Sequence, residues 1–169
     1  MSSAQGAGDA GGAGTAPGGT AMRFEAITLP VADVDRAKAF YTGLGWRLDA
    51  DLADGDTFRI VQITPPLSEA SINFGVGIST AEPGSVQGLL LAVGDIEAAR
   101  EELTARGADV SELFHGPGAG FLHPAPASRE SGRDPEGRSY VTWATFSDPD
   151  GNGWLLQEIT ERLPGRTWE

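Results

Sequence analysis

The sequence predicts an α+β fold built from two consecutive βαβββ modules. The first observation is an internal repeat, because residues 27–48 align without a gap with residues 89–110. The second is that segments rich in β-branched and aromatic residues follow each copy of the repeat. The third is the turn sequence DPDGN at 148–152, which lies between two apolar segments and predicts a β-hairpin.

In the first copy, an apolar strand leads to Asp33, which stands where a helix N-cap is expected. Apolar residues then recur at three- and four-residue spacing over 34–44, and this period predicts a helix. A glycine follows, as is common at helix C-termini, and a new strand starts directly after it. The segments 57–64 and 70–77 predict two further strands.

The second copy repeats this order. Asp95 is the predicted N-cap, the helix ends near Gly107, and a strand is expected directly after that glycine. The segments 139–147 and 153–160 then form the two arms of the predicted hairpin.

The second module differs from the first by a long Pro- and Gly-rich insertion without periodicity, and such loops are usually functional or disordered. The N-terminal residues are almost all Gly, Ala, Ser and Thr, which predicts a disordered tail. The predicted organisation is a disordered tail at 1–21, one domain at 22–163 and a C-terminal tail at 164–169, with module one at 22–80, module two at 84–163 and the insertion at 115–138.

Composition narrows the class of partner. The net charge of −12 argues against binding to nucleic acid or to an anionic membrane surface, and at long range it attracts cationic ligands. The chain has no cysteine, which excludes disulfides and thiol catalysis and fits a cytoplasmic protein. No apolar segment approaches the roughly 20 residues that a membrane-spanning helix needs.

Three motifs occur in a recognisable order, PVADVDRAKAFYTGLGW at 30–46, VGDIEAAREELTARGADV at 93–110 and FSDPDGNGWLLQE at 146–158. Together they resemble the vicinal-oxygen-chelate superfamily, which includes glyoxalase I, extradiol dioxygenases and bleomycin-resistance proteins. The resemblance implies curled mixed sheets around a cavity with the helices on the outer face, and it implies a homodimer.

Metal-dependent members of that family carry ligands at defined strand positions, and these positions fall here on Ala26, Gly88 and Leu155, with Asn73 as the best placement of the fourth. Alanine, glycine and leucine side chains have no donor atom, whereas a divalent ion needs three or four. The sequence therefore predicts no metal and no cofactor at the usual place.

The same strand positions suggest which side chains face the cavity. Trp143, Thr145, Leu155 and Gln157 are the expected wall on the second module, and Asn73 is the candidate on the first. Such a mixture suits a partly apolar, flat organic ligand. Trp143 could equally be a core residue, because strand aromatics often are.

Several polar residues are further candidates. Arg59 is a lone charge in an apolar strand and is either a ligand contact or a surface residue, and Tyr140 could present its hydroxyl at the rim. His115 and His123 flank the insertion and could contact a ligand or act as a base. The loop arginines could hold an anionic group or form solvated ion pairs with the acidic residues between them, and they are Arg129, Arg133 and Arg138.

Three functions remain open from the sequence. The first is a protein of the bleomycin-resistance kind that binds a small organic molecule in a metal-free cavity and so sequesters a drug. The second is a metal-independent lyase or isomerase, with His115 or His123 as base. The third is a metal-dependent glyoxalase- or dioxygenase-like enzyme whose ligands have moved to the two histidines and loop carboxylates.

Overall fold

A computed structural model describes residue 20 and residues 22–116 and 124–163. The predicted N-terminal tail, apart from residue 20, and the predicted C-terminal tail lie outside the described residues, as does the part of the insertion at 117–123, which contains His123. No helix in the described ranges is long and apolar enough to cross a bilayer.

The first module forms a four-stranded mixed sheet, called here the first sheet. Its strand order is β1-β4-β3-β2, with β1 parallel to β4 and the other pairs antiparallel. Its elements are β1 (Ala26–Thr28), α1 (Val34–Gly43), β2 (Arg47–Asp54), β3 (Phe58–Thr64) and β4 (Ser71–Val76).

The second module forms a five-stranded mixed sheet, the second sheet, in the order β5-β9-β8-β6-β7. Strand β5 is parallel to β9, and the other pairs are antiparallel. Its elements are β5 (Leu89–Val93), α2 (Ile96–Ala105), β6 (Phe114–His115), a short 3-10 helix (Pro126–Ser128), β7 (Glu130–Ser131), β8 (Thr142–Ser147) and β9 (Gly153–Glu158). The predicted α+β architecture of two βαβββ modules is confirmed.

Both helices begin where the sequence predicts. The Asp33 carboxylate accepts a hydrogen bond from the backbone N–H of Arg36 at 2.9 Å, and Asp95 accepts one from Ala98 at 3.0 Å. Each aspartate therefore satisfies one of the amide groups that the first turn of a helix leaves unpaired.

One strand of the second module is shorter than predicted. A strand was expected directly after Gly107, but β6 begins only at Phe114 and has two residues. Ser111 bridges the intervening segment to the sheet, because its N–H donates to the Thr145 carbonyl and its hydroxyl accepts from the Thr145 N–H. The contacts of Ser111 thus take the place of a regular strand-to-strand hydrogen-bond ladder in this segment. The predicted aperiodic insertion adds a strand of its own, β7, at the edge of the sheet.

The core lies between the helices and one face of each sheet. Alternate strand residues point to opposite faces, so the residues in the core mark the helix-facing side. These core strand residues are Val61, Ile63, Ile72 and Phe74 of the first sheet and Ala144, Phe146, Trp154 and Leu156 of the second, and they form one cluster with Ala37 and Tyr41 of α1 and Ile96 and Leu103 of α2.

The DPDGN turn joins the two modules. The buried Asp148 carboxylate accepts the Tyr41 hydroxyl at 2.9 Å and the Asn152 side-chain amide at 2.8 Å. The indole N–H of Trp154 donates to the same Tyr41 oxygen at 3.1 Å, and Asn152 also donates to the Pro30 carbonyl. The turn therefore positions the second sheet against helix α1.

Candidate functional site

The face of each sheet that points away from the helices carries the candidate site, and we call it the helix-distal face. Strand alternation and register assign its members. On the first sheet they include Thr28, Leu52, Ile60, Gln62 and Asn73, and on the second they include Leu90, Phe114, Trp143, Thr145, Leu155 and Gln157.

The positions that resemble metal-ligand positions all belong to these faces. Ala26 lies on the same side of β1 as Thr28, and Asn73 pairs directly with Thr28. Leu155 pairs with Leu90, two residues after Gly88. Three of the four positions have no donor atom, so the residues present do not fit the metal site of the related enzymes.

Gly88 also has an unusual backbone conformation. Its φ is +79°, a conformation that side-chain-bearing residues rarely adopt. Within the described ranges, no group of three His, Cys, Asp or Glu side chains is arranged to hold a metal ion.

Asn73 is the unusual polar residue of the first sheet. It stands between Thr28 and Gln62 in the sheet register, and all three side chains are uncharged. Its side-chain oxygen is buried, yet no hydrogen-bond donor of the described chain reaches it. A buried polar atom without a partner costs about 1–3 kcal/mol. Asn73 therefore has an unused acceptor on the helix-distal face of the first sheet.

The second sheet has an accessible part and a covered part. Leu90 is 50 % exposed, and its neighbours Leu155 and Thr145 are half-buried. Trp143 is only 2 % exposed, and the buried Gln157 donates to the Tyr140 carbonyl at 3.0 Å. The structure thus brings Thr145 and Leu155 together on an open surface and places Trp143 and Gln157 in the interior beside them.

Arg59, which the sequence leaves open as a ligand contact or a surface residue, lies on the helix-facing side of the first sheet and not on the helix-distal face. Its guanidinium makes a bidentate pair with Asp51, with both distances 2.9 Å, and a further contact of 2.9 Å with Asp35 of helix α1. Hydrogen bonds from Arg59 and Lys38 hold the pKa of Asp51 well below its usual value. The lone charge in this strand is therefore neutralised within the chain.

Tyr140 and His115 also differ from their predicted roles. Tyr140 precedes β8 instead of opening it, has a φ of +70°, and its hydroxyl accepts from the Leu163 N–H at 3.2 Å. His115 pairs with Thr142, on the opposite side of β6 from Phe114. Its ring nitrogens lie 2.9 Å from the Gly132 carbonyl and 3.3 Å from a Glu130 oxygen. The contacts of His115 thus attach the insertion to the sheet.

The three insertion arginines, which the sequence groups together, have different surroundings. Arg133 pairs with the buried Glu158 at 2.9 Å. Arg138 pairs with the buried Asp134 at 2.7 Å, and this hydrogen bonding lowers the pKa of Asp134 to about 2. Arg129 instead lies over the Phe114 ring, 4.1 Å from its centroid. Nothing in the linear pattern distinguishes these arginines, because partner choice depends on how the insertion folds back.

Hollows occur at two places in the described part of the chain. An apolar one of about 260 Å³ lies where β1 approaches β5 and is lined by Phe24, Ile27, Leu89, Leu90 and Leu91, among others. A charged groove of about 430 Å³ separates α2 from the insertion. In that groove Arg100 already pairs with Glu112, and Arg133 already pairs with Glu158.

Comparison with known proteins finds solved structures that are similar to this chain over most of its length. The chain is similar to TnmS3, an antibiotic binding protein from Streptomyces sp. CB03234, with 29% identity and a TM-score of 0.58 over 82% of this chain and 97% of that one. It is also similar to a glyoxalase/bleomycin resistance protein from the same organism, with 30% identity and a TM-score of 0.56 over 80% of this chain and 100% of that one.

A third similar structure is a member of the same superfamily from Sphaerobacter thermophilus DSM 20745, with 25% identity and a TM-score of 0.59 over 82% of this chain and 98% of that one. No curated protein matches the sequence significantly. The family model for the Glyoxalase/Bleomycin resistance protein/Dioxygenase superfamily matches residues 23–156, and the chain belongs to that superfamily.

Proposed function

We propose that this protein binds a small, flat organic molecule without a metal ion and sequesters it. The observation that carries the proposal is the character of the helix-distal faces. Where related enzymes hold a metal, this chain has Ala26, Gly88 and Leu155, while Asn73 offers an unused acceptor. These positions favour binding by surface contact and hydrogen bonding.

The balance of side chains supports an organic ligand. The helix-distal faces carry apolar groups at Leu52 and Ile60 on the first sheet and at Leu90 and Leu155 on the second, together with neutral hydrogen-bonding groups such as Thr145. Ligand pockets typically combine a large apolar surface with a few polar groups that fix orientation. A planar molecule with one or more hydrogen-bond donors matches this mixture.

The comparison with TnmS3 supports the same class of function, because that protein binds an antibiotic and shares 29% identity with nearly the whole domain. Drug sequestration is therefore the form of small-molecule binding that we propose.

A homodimer is part of the proposal. Leu52 on the first sheet is 63 % exposed, and Leu90 on the second sheet is 50 % exposed, although both lie on faces of well-packed sheets. Exposed apolar strand faces are typical of surfaces that a partner covers. A second copy of the chain would convert these open faces into the walls of an enclosed site.

No particular observation favours the enzymatic alternatives. The described part of the chain has one histidine, His115, and its ring is on the helix-facing side with both nitrogens engaged. His123, the other proposed base, lies outside the described residues.

The test is direct binding by the untagged protein. Isothermal titration with a panel of planar aromatic antibiotics should give saturable binding, and mass spectrometry after long incubation should recover the ligand unchanged. Addition of EDTA should leave the affinity the same. Chemical conversion of a bound compound, or no binding to any member of the panel, would overturn the proposal.

A matched pair of variants tests the location. Leu155→Glu places a charge on the proposed surface and should weaken binding at least tenfold, because the carboxylate would have to be desolvated by the ligand. Leu67→Glu makes the same change at a fully exposed loop position and should not alter binding. Equal effects of the two variants would contradict the assigned face.

A further inference from the structure

We propose that Arg129 selects the ligand, and that its guanidinium binds an acidic oxygen group, such as a carboxylate, on an aromatic molecule held at the helix-distal face of the second sheet. This inference rests on the proposed function and specifies its ligand class.

Within the described ranges, Arg129 differs from the other insertion arginines because no carboxylate pairs with it. The neighbouring arginines of the insertion, Arg133 and Arg138, each pair with a carboxylate that is almost fully buried. Among the residues that the structure describes, the Arg129 side chain makes one hydrogen bond, from its Nε to the Pro124 carbonyl at 3.2 Å, and no ion pair. Its two terminal nitrogens therefore keep their donor capacity in a chain of net charge −12.

The position of Arg129 follows from the sheet register. Ser131 of β7 pairs with Phe114, which pairs with Trp143 on the helix-distal face. Arg129 lies two residues before Ser131, and its guanidinium carbon is 4.1 Å from the Phe114 ring centroid. The guanidinium is therefore on the same side of the sheet as Thr145.

The surroundings of Arg129 orient and partly desolvate its guanidinium, and this favours binding of an oxygen acid. Contact with the ring removes water from one face of the group and reduces its rotational freedom, and the bond to Pro124 fixes its plane. A planar guanidinium with free N–H groups matches the two oxygens of a carboxylate. The phenyl ring below it and the apolar Leu155 on the same face favour an acid that is attached to an aromatic ring.

Because the chain as a whole is acidic, the binding of an anionic ligand should depend on the local positive charge of Arg129. The field of the acidic chain repels anions at long range, but salt screens that field beyond about 8 Å at physiological ionic strength. A direct contact with Arg129 persists under those conditions. Discrimination between an acid and its neutral analogue should therefore depend on this one side chain.

Three probes with one ring system test the inference, namely 2-naphthoate, 2-naphthamide and 2-naphthylmethylammonium. Titration calorimetry at 0.15 M salt should show that the wild-type protein binds 2-naphthoate at least tenfold more tightly than the other two. Arg129→Met should remove at least tenfold of the 2-naphthoate affinity and change the 2-naphthamide affinity less than twofold. Arg129→Lys should restore only part of it, because lysine lacks the planar arrangement of donors.

Arg106→Met is the matched control, since it removes the same charge from a surface ion pair on helix α2 and should leave all three affinities unchanged. Urea unfolding of each variant verifies that it folds. Equal binding of acid and amide, preference for the ammonium probe, or an equal loss of all affinities in Arg129→Met would overturn the inference and leave the proposed function standing. Failure of all three probes to bind would also overturn it, whereas the antibiotic panel decides the proposed function separately.

Discussion

At the scale of single residues, Tyr41 shows what the turn motif does. The sequence identifies DPDGN as a hairpin turn, but it does not indicate that Asp148 is buried and bonded to a helix of the other module. Burial raises the pKa of Tyr41 well above its ordinary value of 10.0, and the nearby Asp148 charge adds to this effect. The phenol therefore remains a hydrogen-bond donor in the folded protein at high pH.

Replacing Tyr41 by Phe should give a pH-dependent signature. Loss of the hydroxyl contacts with Asp148 and Trp154 should cost about 1–2 kcal/mol at pH 8. Above pH 10 the wild-type tyrosine ionises in the unfolded state only, so the stability it contributes falls as pH rises. Urea unfolding should show the gap between the two proteins narrowing by about 1.4 kcal/mol at pH 11. A gap independent of pH would contradict the burial of this phenol.

Asn73→Leu should separate stability from binding. The leucine side chain is similar in size and has no polar atom to leave unpaired, so the free energy of unfolding should rise by about 1 kcal/mol. Ligand affinity should fall at least fivefold, because the acceptor is lost. A rise in thermal stability together with a fall in ligand affinity would show that Asn73 serves binding at a cost in stability. Gln62→Leu, at the neighbouring register position, is the control for the added apolar surface. A destabilised Asn73→Leu variant would show that the amide is structural.

At the scale of elements, regular helices and strands are predictable because their signals are local. Both N-caps and the hairpin are found where the sequence places them. The short β6 and the added β7 are not, because Ser111 and the insertion form contacts with residues distant in the sequence. For the same reason, the sequence leaves open whether Arg59 points toward the helix or away from it.

The insertion depends on ion pairs whose partners are buried, and this makes its attachment testable. Arg133 is 42 % exposed while its partner Glu158 is 1 % exposed, so Arg133→Met would leave a buried carboxylate without its cation. We expect a loss of about 2–4 kcal/mol in urea unfolding. Arg106 has a similar exposure of 44 %, but its partner Glu102 is 63 % exposed, so Arg106→Met should cost less than about 1 kcal/mol. Similar losses in the two variants would mean that Glu158 does not depend on the insertion.

At the scale of the whole molecule, the internal repeat is sufficient to predict two modules, since a repeated pattern of caps and periodicity specifies the same topology twice. The site is less predictable than the fold. Thr145 and Leu155 lie on the open face, yet Trp143 and Gln157 from the same strands are covered. Exposure depends on how the insertion and the neighbouring strands cover the sheet, and it cannot be derived from strand alternation.

The open faces lead to a final prediction about assembly. Leu52 lies on the helix-distal face of the first sheet with most of its side chain exposed, so a charge there should disfavour contact with a second chain. Light scattering coupled to gel filtration should give a dimer for the wild-type protein and a monomer for Leu52→Glu. Ligand affinity should fall together with the dimer if the second chain completes the site. Leu67→Glu adds the same charge at a turn outside both sheet faces and should remain a dimer that binds normally. A monomeric wild-type protein that binds its ligand at full affinity would show that one chain forms the whole site.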